Sequence, residues 1–299
     1  MKQSLETTTA LNVAFSKVAA PKPNSHKGEN GKLLFIGGSQ LFHAPVRWSL
    51  MTASRFVDML FYAAVPQTER LLEEARGQFW DGIVIPRIHL EAYLVEADCI
   101  LIGPGMERQN YRAAADLQLR TEPTEQEWNE DTGKVVNYLL SKYPNKKWVV
   151  DAGALQMVDP TVLTSSCIVT PHSRELEQLA AHEGSSVADL QQDLQKRGVT
   201  QFLKGQVDSV TTATGTISIE GGSPGMTKGG TGDVLAGLVA GLFTTNTAEV
   251  AALVASQVSK QAGEDLATTM GTFFNASDIA EQIPKTFFRI LEERAGRWS

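Results

Sequence analysis

Short apolar segments recur along the chain, separated by longer stretches in which apolar residues have helical spacing. The short segments are residues 33–36, 60–65, 83–85, 99–102, 148–150, 167–170 and 201–203. Continuous apolar runs of this length are typical of parallel strands whose two faces are both covered. The pattern therefore predicts an α/β fold of three layers, with helices on both faces of a mostly parallel central sheet.

The pattern changes after residue 203. Residues 207–213 and 216–220 alternate β-branched and polar side chains on either side of Thr214 and Gly215, which predicts an antiparallel hairpin. Helical patterns follow in series at residues 234–243, 249–267 and 276–293. We therefore expect a mixed sheet, closed by C-terminal helices.

The domain organisation depends on the N-terminus and on one polar segment. Residues 3–20 predict a helix that ends before the prolines at positions 21 and 23. We expect residues 1–25 to be a helical extension and residues 26–299 to form a single domain. Residues 107–147 are polar and predict two surface helices around a loop, which we interpret as an insertion. The strand pattern resumes at Trp148, so no linker between two cores is indicated.

Composition and charge exclude several classes of protein. The chain has 299 residues, 42% hydrophobic and 20% charged, as in ordinary globular proteins. Its formal net charge of -7 argues against a nucleic-acid partner, and no stretch approaches the roughly 20 apolar residues that span a membrane. The N-terminus lacks the apolar segment of a secretory signal. Cys99 and Cys167 lie in apolar runs, so neither a disulfide framework nor a zinc cluster is expected. These features favour a cytoplasmic enzyme.

The strongest chemical signal is a glycine-rich turn that leads directly into an apolar helix. Gly229, Gly230, Thr231 and Gly232 precede Asp233 in this turn. Glycines let the backbone approach a ligand, and free N–H groups at a helix start attract phosphate oxygens. We expect an anion hole here, with Asp233 taking a proton from a substrate hydroxyl that attacks a phosphoryl group. The alternative is that Asp233 only caps the helix; three glycines within four residues favour the catalytic interpretation.

Other predicted strands also end in polar or glycine-bearing turns. Lys204 follows the segment at 201–203 and Asp151 follows the segment at 148–150, while residues 36–39 and 102–106 contain glycines. In an open α/β sheet these strand ends share the edge that binds ligands. Each has a structural alternative, because Lys204 could be a solvated turn residue and Asp151 could be structural as readily as metal-directed.

A further turn follows the segment at 167–170. Ser173 is a good N-cap for the helix that begins there. A helix starting at this point places His172 and Glu175 at the sheet edge where the other strand ends lie. His172 could equally be a hydrogen-bonded turn residue, and Glu175 could simply interact with the helix dipole. Both interpretations stay open from these residues alone.

Taken in order, these motifs resemble the NAD(P)H-hydrate dehydratases, a family with the ribokinase-like fold. The resemblance spans roughly residues 26–291 and is densest from 149 to 241. The motifs are those at 26–28 with 31–32, 36–39, 103–105, 151–152, 170–172, 203–205 and 224–237. The resemblance implies a lyase that repairs the 6-hydroxylated coenzymes NADHX and NADPHX. Dehydration would depend on ADP or ATP, regenerate the coenzyme and release phosphate.

The resemblance also implies roles for individual residues. Asp233 would deprotonate the hydroxyl of the hydrate beside the anion hole of residues 229–232. The nucleotide would be contacted by Lys204, Gly205, Gln206, Val207, Asp208 and Gly232. The hydrate would be contacted by Ala44, Gly105, His172 and Asp233. Glu175 would orient Mg²⁺ through water, and a homo-oligomer is implied.

Four positions depart from the family's pattern. His43 replaces the glycine that usually precedes Ala44, Gly153 replaces a second aspartate, and Ser173 with Arg174 replaces a proline and a glycine. These departures leave room for a catalytically inactive nucleotide sensor, against which the intact Asp233 counts.

A second alternative is a ribokinase-like kinase for a vitamin precursor or a sugar. Such a kinase would use the same Asp233 and anion hole but would leave the phosphate on its product. The motifs at residues 26–28 and 224–226 favour the dehydratase over this kinase.

Overall fold

The structure of the protein, a computed structural model, describes residues 3–66, 81–108 and 117–295. The strands in these ranges are β1 (Lys32–Ile36), β2 (Met59–Ala64), β3 (Ile83–Pro86), β4 (Cys99–Ile102), β5 (Lys147–Val150), β6 (Cys167–Val169), β7 (Thr200–Leu203), β8 (Asp208–Thr212) and β9 (Gly215–Ile219). They form one sheet in the order β3-β2-β1-β4-β5-β6-β7-β8-β9. Strands β1 to β7 pair in parallel, and β8 and β9 extend the sheet as an antiparallel hairpin. The predicted mixed sheet is confirmed.

Helices cover both faces of this sheet, as the apolar strand pattern predicts. They are α1 (Leu5–Ser16), α2 (Ala44–Ala53), α3 (Leu90–Glu96), α4 (Glu125–Glu130), α5 (Thr132–Lys142), α6 (Ala152–Met157), α7 (Ser173–His182), α8 (Val187–Lys196), α9 (Thr231–Thr245), α10 (Ala248–Met270) and α11 (Ala276–Ala295). In β1, Leu33 and Phe35 pack against the face that carries α2 and α9–α11, while Leu34 and Ile36 pack against α3 and α5–α8. No helix in the described ranges is long and apolar enough to cross a membrane.

The strand order changes direction at β1, because β2 and β4 both pair with it. After β1 the chain enters α2 on one face, whereas after β4 it continues to α5 on the other face. Where neighbouring strands connect to opposite faces, a crevice opens at their carboxyl ends, and ligands of α/β proteins bind there. Ile36 and Ile102 are paired at these ends, so the glycine turns that follow them line the crevice.

The N-terminal helix packs into the same core as the C-terminal helices. The Ser4 hydroxyl accepts a hydrogen bond from the backbone N–H of Thr7 at 3.1 Å and caps the helix. Leu11 and Phe15 are fully buried in the core shared with α9–α11. The helix ends at Ser16, earlier than its predicted limit at residue 20.

The prediction of two surface helices within residues 107–147 is wrong for the second helix. α5 is buried from residue 132 to residue 140, and Val135, Val136 and Leu139 are inaccessible to solvent. Its polar residues conceal this burial: the buried Asn137 amide donates to the carbonyls of Gly133 and Met157. Residues 109–116 of the same segment lie outside the described residues.

Candidate active site

The anion-binding turn predicted at residues 229–232 forms the start of α9. Gly230 is the N-cap with φ 95°, in the left-handed region that favours glycine. A Cβ there would lie 2.5 Å from the ring of Trp48. The Thr231 hydroxyl donates to the Met226 carbonyl at 2.8 Å and so holds the turn. The N–H groups of Gly230 and Gly232 donate no hydrogen bond to any described residue, which leaves them free for an anion.

Asp233 lies in the first turn of α9, directly after these N–H groups. The Ser49 hydroxyl of α2 donates to its backbone carbonyl at 2.9 Å and fixes the two helices together. Burial raises the pKa of Asp233 to about 7, with Asp151 and Glu175 adding to this rise and Lys204 opposing it. A carboxylate with a pKa near neutrality is suited to general base catalysis.

Asp151 and Lys204 form an ion pair beside Asp233. Lys204 Nζ lies 2.8 Å from Asp151 Oδ1 and 3.9 Å from Glu175 Oε2. Burial lowers the pKa of Lys204, but Asp151, Glu175 and Asp233 together raise it above its ordinary value, so the side chain is an ammonium. A Cβ on Gly232 would be 3.7 Å from Lys204 Nζ. The ammonium therefore lies between the acidic cluster and the anion-binding turn.

Asp151 has an extended backbone, but the residue after it is held in a sparsely populated conformation. Ala152, which follows it, has φ 47°, in the left-handed region. A residue with a Cβ is destabilised there by roughly 1–3 kcal/mol, and such residues cluster at functional sites. The next residue, Gly153, has no room for a side chain, because a Cβ would lie 2.1 Å from the Met106 carbonyl oxygen. The aspartate of the family's pattern would not fit at Gly153 with this backbone.

His172 and Glu175 lie at the start of α7 and hold each other in place. The Glu175 carboxylate accepts the N–H of His172 at 2.9 Å, and His172 Nδ1 accepts the N–H of Glu175 at 3.2 Å. His172 is therefore the N-cap, and the prediction of Ser173 as the cap is wrong because the imidazole reaches the third helical N–H first. Glu175 is buried and also accepts from Gln156 at 3.1 Å. The His172 side chain is 52% exposed, so the ring is open to a ligand.

The loop at residues 204–208 joins β7 to β8 at the same sheet edge. Gly205, Gln206 and Val207 are exposed, whereas Asp208 is buried. The Asp208 carboxylate accepts the N–H of Gly205 at 3.0 Å and the Ser256 hydroxyl at 2.7 Å. Burial raises the pKa of Asp208, although Lys260 and these donors lower it in part. Asp208 thus holds the loop from its buried side, while the three preceding residues are exposed to solvent.

The sequence analysis missed Lys260, which completes this loop. Its buried ammonium donates to the carbonyls of Gly205 at 3.2 Å and Gln206 at 3.0 Å and lies 3.5 Å from Asp208 Oδ1. The available signal was that Lys260 is the one lysine in α10, in a stretch whose other residues are apolar or polar and uncharged until Glu264. A buried lysine in such a stretch needs partners, and here the partners belong to the loop.

Two of the residues proposed for the hydrate, Gly105 and Ala44, lie beside the turns that follow β1 and β4. Gly105 has φ 76°, and a Cβ there would lie 2.7 Å from the Phe42 carbonyl oxygen and 3.1 Å from the Cα of Gly38. The N–H of Gly38 donates to the Pro104 carbonyl at 2.9 Å. Ala44 begins α2 immediately after this contact. The two glycine turns therefore form one wall that leads into α2, and α2 contacts Asp233 through Ser49.

The fold and this site define the class of protein. A ribokinase-like superfamily protein from Enterococcus faecalis aligns with a TM-score of 0.71 and 20% identity, over 93% of this chain and 94% of that chain. An ADP/ATP-dependent NAD(P)H-hydrate dehydratase from Bacillus subtilis, co-crystallised with ATP and Mg²⁺, aligns with a TM-score of 0.70 and 18% identity, over 93% and 96%. At these identities the likeness concerns the fold, and the predicted ribokinase-like fold is confirmed.

Sequence comparisons then give the family. The sequence model of the NAD(P)H-hydrate dehydratases matches residues 34–285, and the chain belongs to this family. It is 30% identical to a bifunctional NAD(P)H-hydrate repair enzyme of Methanocaldococcus jannaschii over 87% of the chain but 49% of that protein, so it spans about half of that relative. It is 28% identical to an ADP-dependent (S)-NAD(P)H-hydrate dehydratase of Cenarchaeum symbiosum, over 89% of the chain and 92% of that protein.

Proposed function

We propose that the protein dehydrates (6S)-NADH hydrate and (6S)-NADPH hydrate, with ADP or ATP as co-substrate, and thereby repairs the coenzyme. The observation that carries the proposal is Asp233, whose pKa is raised to about 7, directly after the open N–H groups of Gly230 and Gly232. Membership of the dehydratase family supports the same substrate.

The chemistry follows from this arrangement. Asp233 takes the proton of the hydrate's hydroxyl as the hydroxyl oxygen bonds to the terminal phosphorus of the nucleotide. The bridging P–O bond breaks and leaves a nucleotide shortened by one phosphate, and the anion hole stabilises the charge on the transferred group. The lone pair of the ring nitrogen then expels inorganic phosphate, and the neighbouring ring carbon loses a proton. The reduced nicotinamide is restored.

The exposed loop and the acidic cluster have separate parts in this proposal. Gly205, Gln206 and Val207 would contact the nucleotide, with Gly232 at its phosphates. Lys204 would face the transferred phosphate and not the adenine base of the nucleotide, because its ammonium is ion-paired with Asp151 and lies beside Gly232. Gly105 and Ala44 would contact the hydrate from the side of β1 and β4, and His172 would contact it from the start of α7, after β6.

A magnesium ion fits this site as a companion of the nucleotide. Among the described residues, no group of three or more His, Cys, Asp or Glu side chains could hold a metal ion alone. Mg²⁺ typically binds through one or two carboxylates, several waters and substrate phosphates, whose charge it neutralises. Glu175 is suited to a contact through water, because its two carboxylate oxygens already accept hydrogen bonds from His172 and Gln156.

Assembly and location belong to the same proposal. We expect a homo-oligomer and a cytoplasmic location, where the reduced coenzymes are consumed. Size-exclusion chromatography with light scattering would measure the assembly, and a monomer across the micromolar range would contradict the first expectation.

The activity is tested by incubating the protein with NADH hydrate, Mg²⁺ and either ADP or ATP, while the absorbance of NADH is followed. The absorbance should rise when a nucleotide is present and stay flat when it is omitted. No rise with either nucleotide would overturn the proposed function.

A further inference from the structure

A buried arginine lies behind the wall proposed for the coenzyme hydrate. Arg87 follows β3 in a single 3₁₀ turn, and it is only 3% exposed. Its Nη2 donates to the carbonyl oxygens of Gly37 and Gly38, the latter at 3.1 Å. These two carbonyls belong to the turn that contacts Gly105.

Arg87 has no counter-ion in the described part of the chain. No carboxylate there pairs with it, and its Nε is buried without a hydrogen-bond partner. Burial lowers the pKa of Arg87 to about 10, with Tyr62 opposing the shift, and the guanidinium still carries its charge at neutral pH. A buried charge without a partner is costly. The presence of this unpaired guanidinium beside the crevice therefore points to a function of Arg87 in the crevice.

The contacts of Arg87 fix the orientation of the turn. The Gly37 carbonyl also accepts from the hydroxyl of the fully buried Tyr62 at 3.4 Å. With both carbonyls directed inward, the N–H of Gly38 points the other way and reaches the Pro104 carbonyl at 2.9 Å. Arg87 thus holds the turn of β1 against the turn of β4.

The charge of Arg87 opposes the charge of the site. Asp151, Glu175 and Asp233 are three acidic groups that interact with one another and with the ammonium of Lys204. A coenzyme hydrate carries a diphosphate, which such a cluster repels. Arg87 adds a positive charge behind the Gly37–Gly38 turn, and because this charge is buried, its field is only weakly screened by solvent.

We propose that Arg87 is a positioning residue for the coenzyme hydrate: it fixes the Gly37–Gly38 turn against Gly105 and supplies the positive charge that favours the anionic coenzyme. This inference rests on the proposed dehydratase function. It assigns Arg87 to the coenzyme and leaves the nucleotide to the loop at 204–208.

The test compares Arg87→Met, Arg87→Lys and the matched control Arg55→Met. Arg55 is exposed, has no side-chain partner in the described residues and lies at the opposite end of the sheet, in the turn before β2. We expect Arg87→Met to raise the KM for NADH hydrate about tenfold or more, the scale of a lost charged hydrogen bond. The KM for ADP should stay within about twofold, and Arg87→Lys should recover part of the loss because it keeps the charge. Arg55→Met should match the wild type.

A binding measurement separates failure of this inference from failure of the proposed function. Calorimetric titration with intact NADPH, the expected product, needs no turnover and should show weaker binding to Arg87→Met than to the wild type. Unchanged hydrate KM and NADPH affinity in Arg87→Met, or equal increases in the KM values for hydrate and nucleotide, would overturn the role of Arg87. If Arg87→Met does not fold, Arg87→Gln decides, because it removes the charge but keeps a polar side chain: a hydrate KM equal to that of the wild type together with an unchanged NADPH affinity would refute the role of Arg87. A wild type that never regenerates NADH would instead refute the dehydratase function.

Discussion

At the scale of the residue, the central feature is a carboxylate whose proton affinity is set by its surroundings. Asp233 is made basic by burial and by two neighbouring acids, while Lys204 limits the effect. The adjacent N–H groups of Gly230 and Gly232 have no acceptor among the described residues. In the proposed mechanism a base and an anion site are therefore adjacent on one helix turn, an arrangement suited to the phosphorylation of a hydroxyl.

Replacing the base should separate catalysis from binding. Asp233→Asn keeps the shape of the side chain but cannot accept a proton, so we expect turnover to fall by about 10²-fold or more. Nucleotide binding, measured by calorimetry, should stay close to that of the wild type, since the backbone N–H groups remain. Turnover near the wild-type value would mean that Asp233 is not the base.

The raised pKa of Asp233 has a direct kinetic consequence. The base works only when deprotonated, so kcat/KM for NADH hydrate should increase with pH and level off above a pKa of about 7. Below this value the rate should fall by roughly tenfold per pH unit. A profile that is flat from about pH 5.5 upward would show that Asp233 ionises as an ordinary exposed aspartate does.

The sequence locates Asp233 but not its pKa. The glycines before it are sufficient to predict an anion-binding turn, because the backbone conformations that glycine allows depend only on the local sequence. Asp151, Lys204 and Glu175 come from the ends of β5 and β7 and the start of α7, and their mutual distances exist only in the folded sheet. Lys260 was missed for the same reason, since its partners lie about 55 residues earlier in the chain.

At the scale of the element, the close approach of α2 and α9 positions the site. Gly237 allows this approach, because a Cβ there would lie 2.4 Å from the Ser49 carbonyl oxygen. Ser49 in turn donates to the backbone of Asp233. The small residue in α9 and the hydroxyl in α2 together fix the start of α9 relative to β1.

Filling this contact should destabilise the protein. Gly237→Ala forces the two helices apart, and we expect a loss of roughly 1–3 kcal/mol in the free energy of unfolding, measured by chemical denaturation. Gly229→Ala is the matched control for stability, because a Cβ there meets no atom within 4 Å. Equal stabilities for both variants would show that the α2–α9 contact is not tight.

Elements whose apolar residues form a clear pattern were predicted well, whereas elements that mix polar and apolar residues were not. The short apolar strands can be predicted from their own residues, without reference to the elements that pack against them. The segment that contains α5 was assigned to the surface because residues 107–147 are polar as a whole, yet Asn137 in α5 is buried with backbone carbonyls as partners. The start of α7 was predicted one residue too late, because its cap is His172, whose imidazole is a less common cap than the hydroxyl of serine.

At the scale of the whole molecule, the order of the strands assembles the site. Because β1 lies between β2 and β4, the turns after residues 36 and 102 meet at the crevice. The same carboxyl edge carries the loops after β5, β6 and β7. Sequence patterns indicated which turns carry the candidate residues, and the parallel pairing of β1 to β7 brings these turns to one edge of the sheet.

The central claim is that phosphorylation of the hydrate leads to elimination and does not stop at a phosphate ester. The most direct measurement is the ratio of products when the wild type acts on NADH hydrate with ADP and Mg²⁺. NADH, followed by absorbance, and inorganic phosphate should appear in equal amounts, with no phosphomonoester in the phosphorus NMR spectrum. A persistent phosphomonoester, or phosphorylation of a vitamin or sugar alcohol while NADH hydrate is left unchanged, would contradict the dehydratase and favour a kinase.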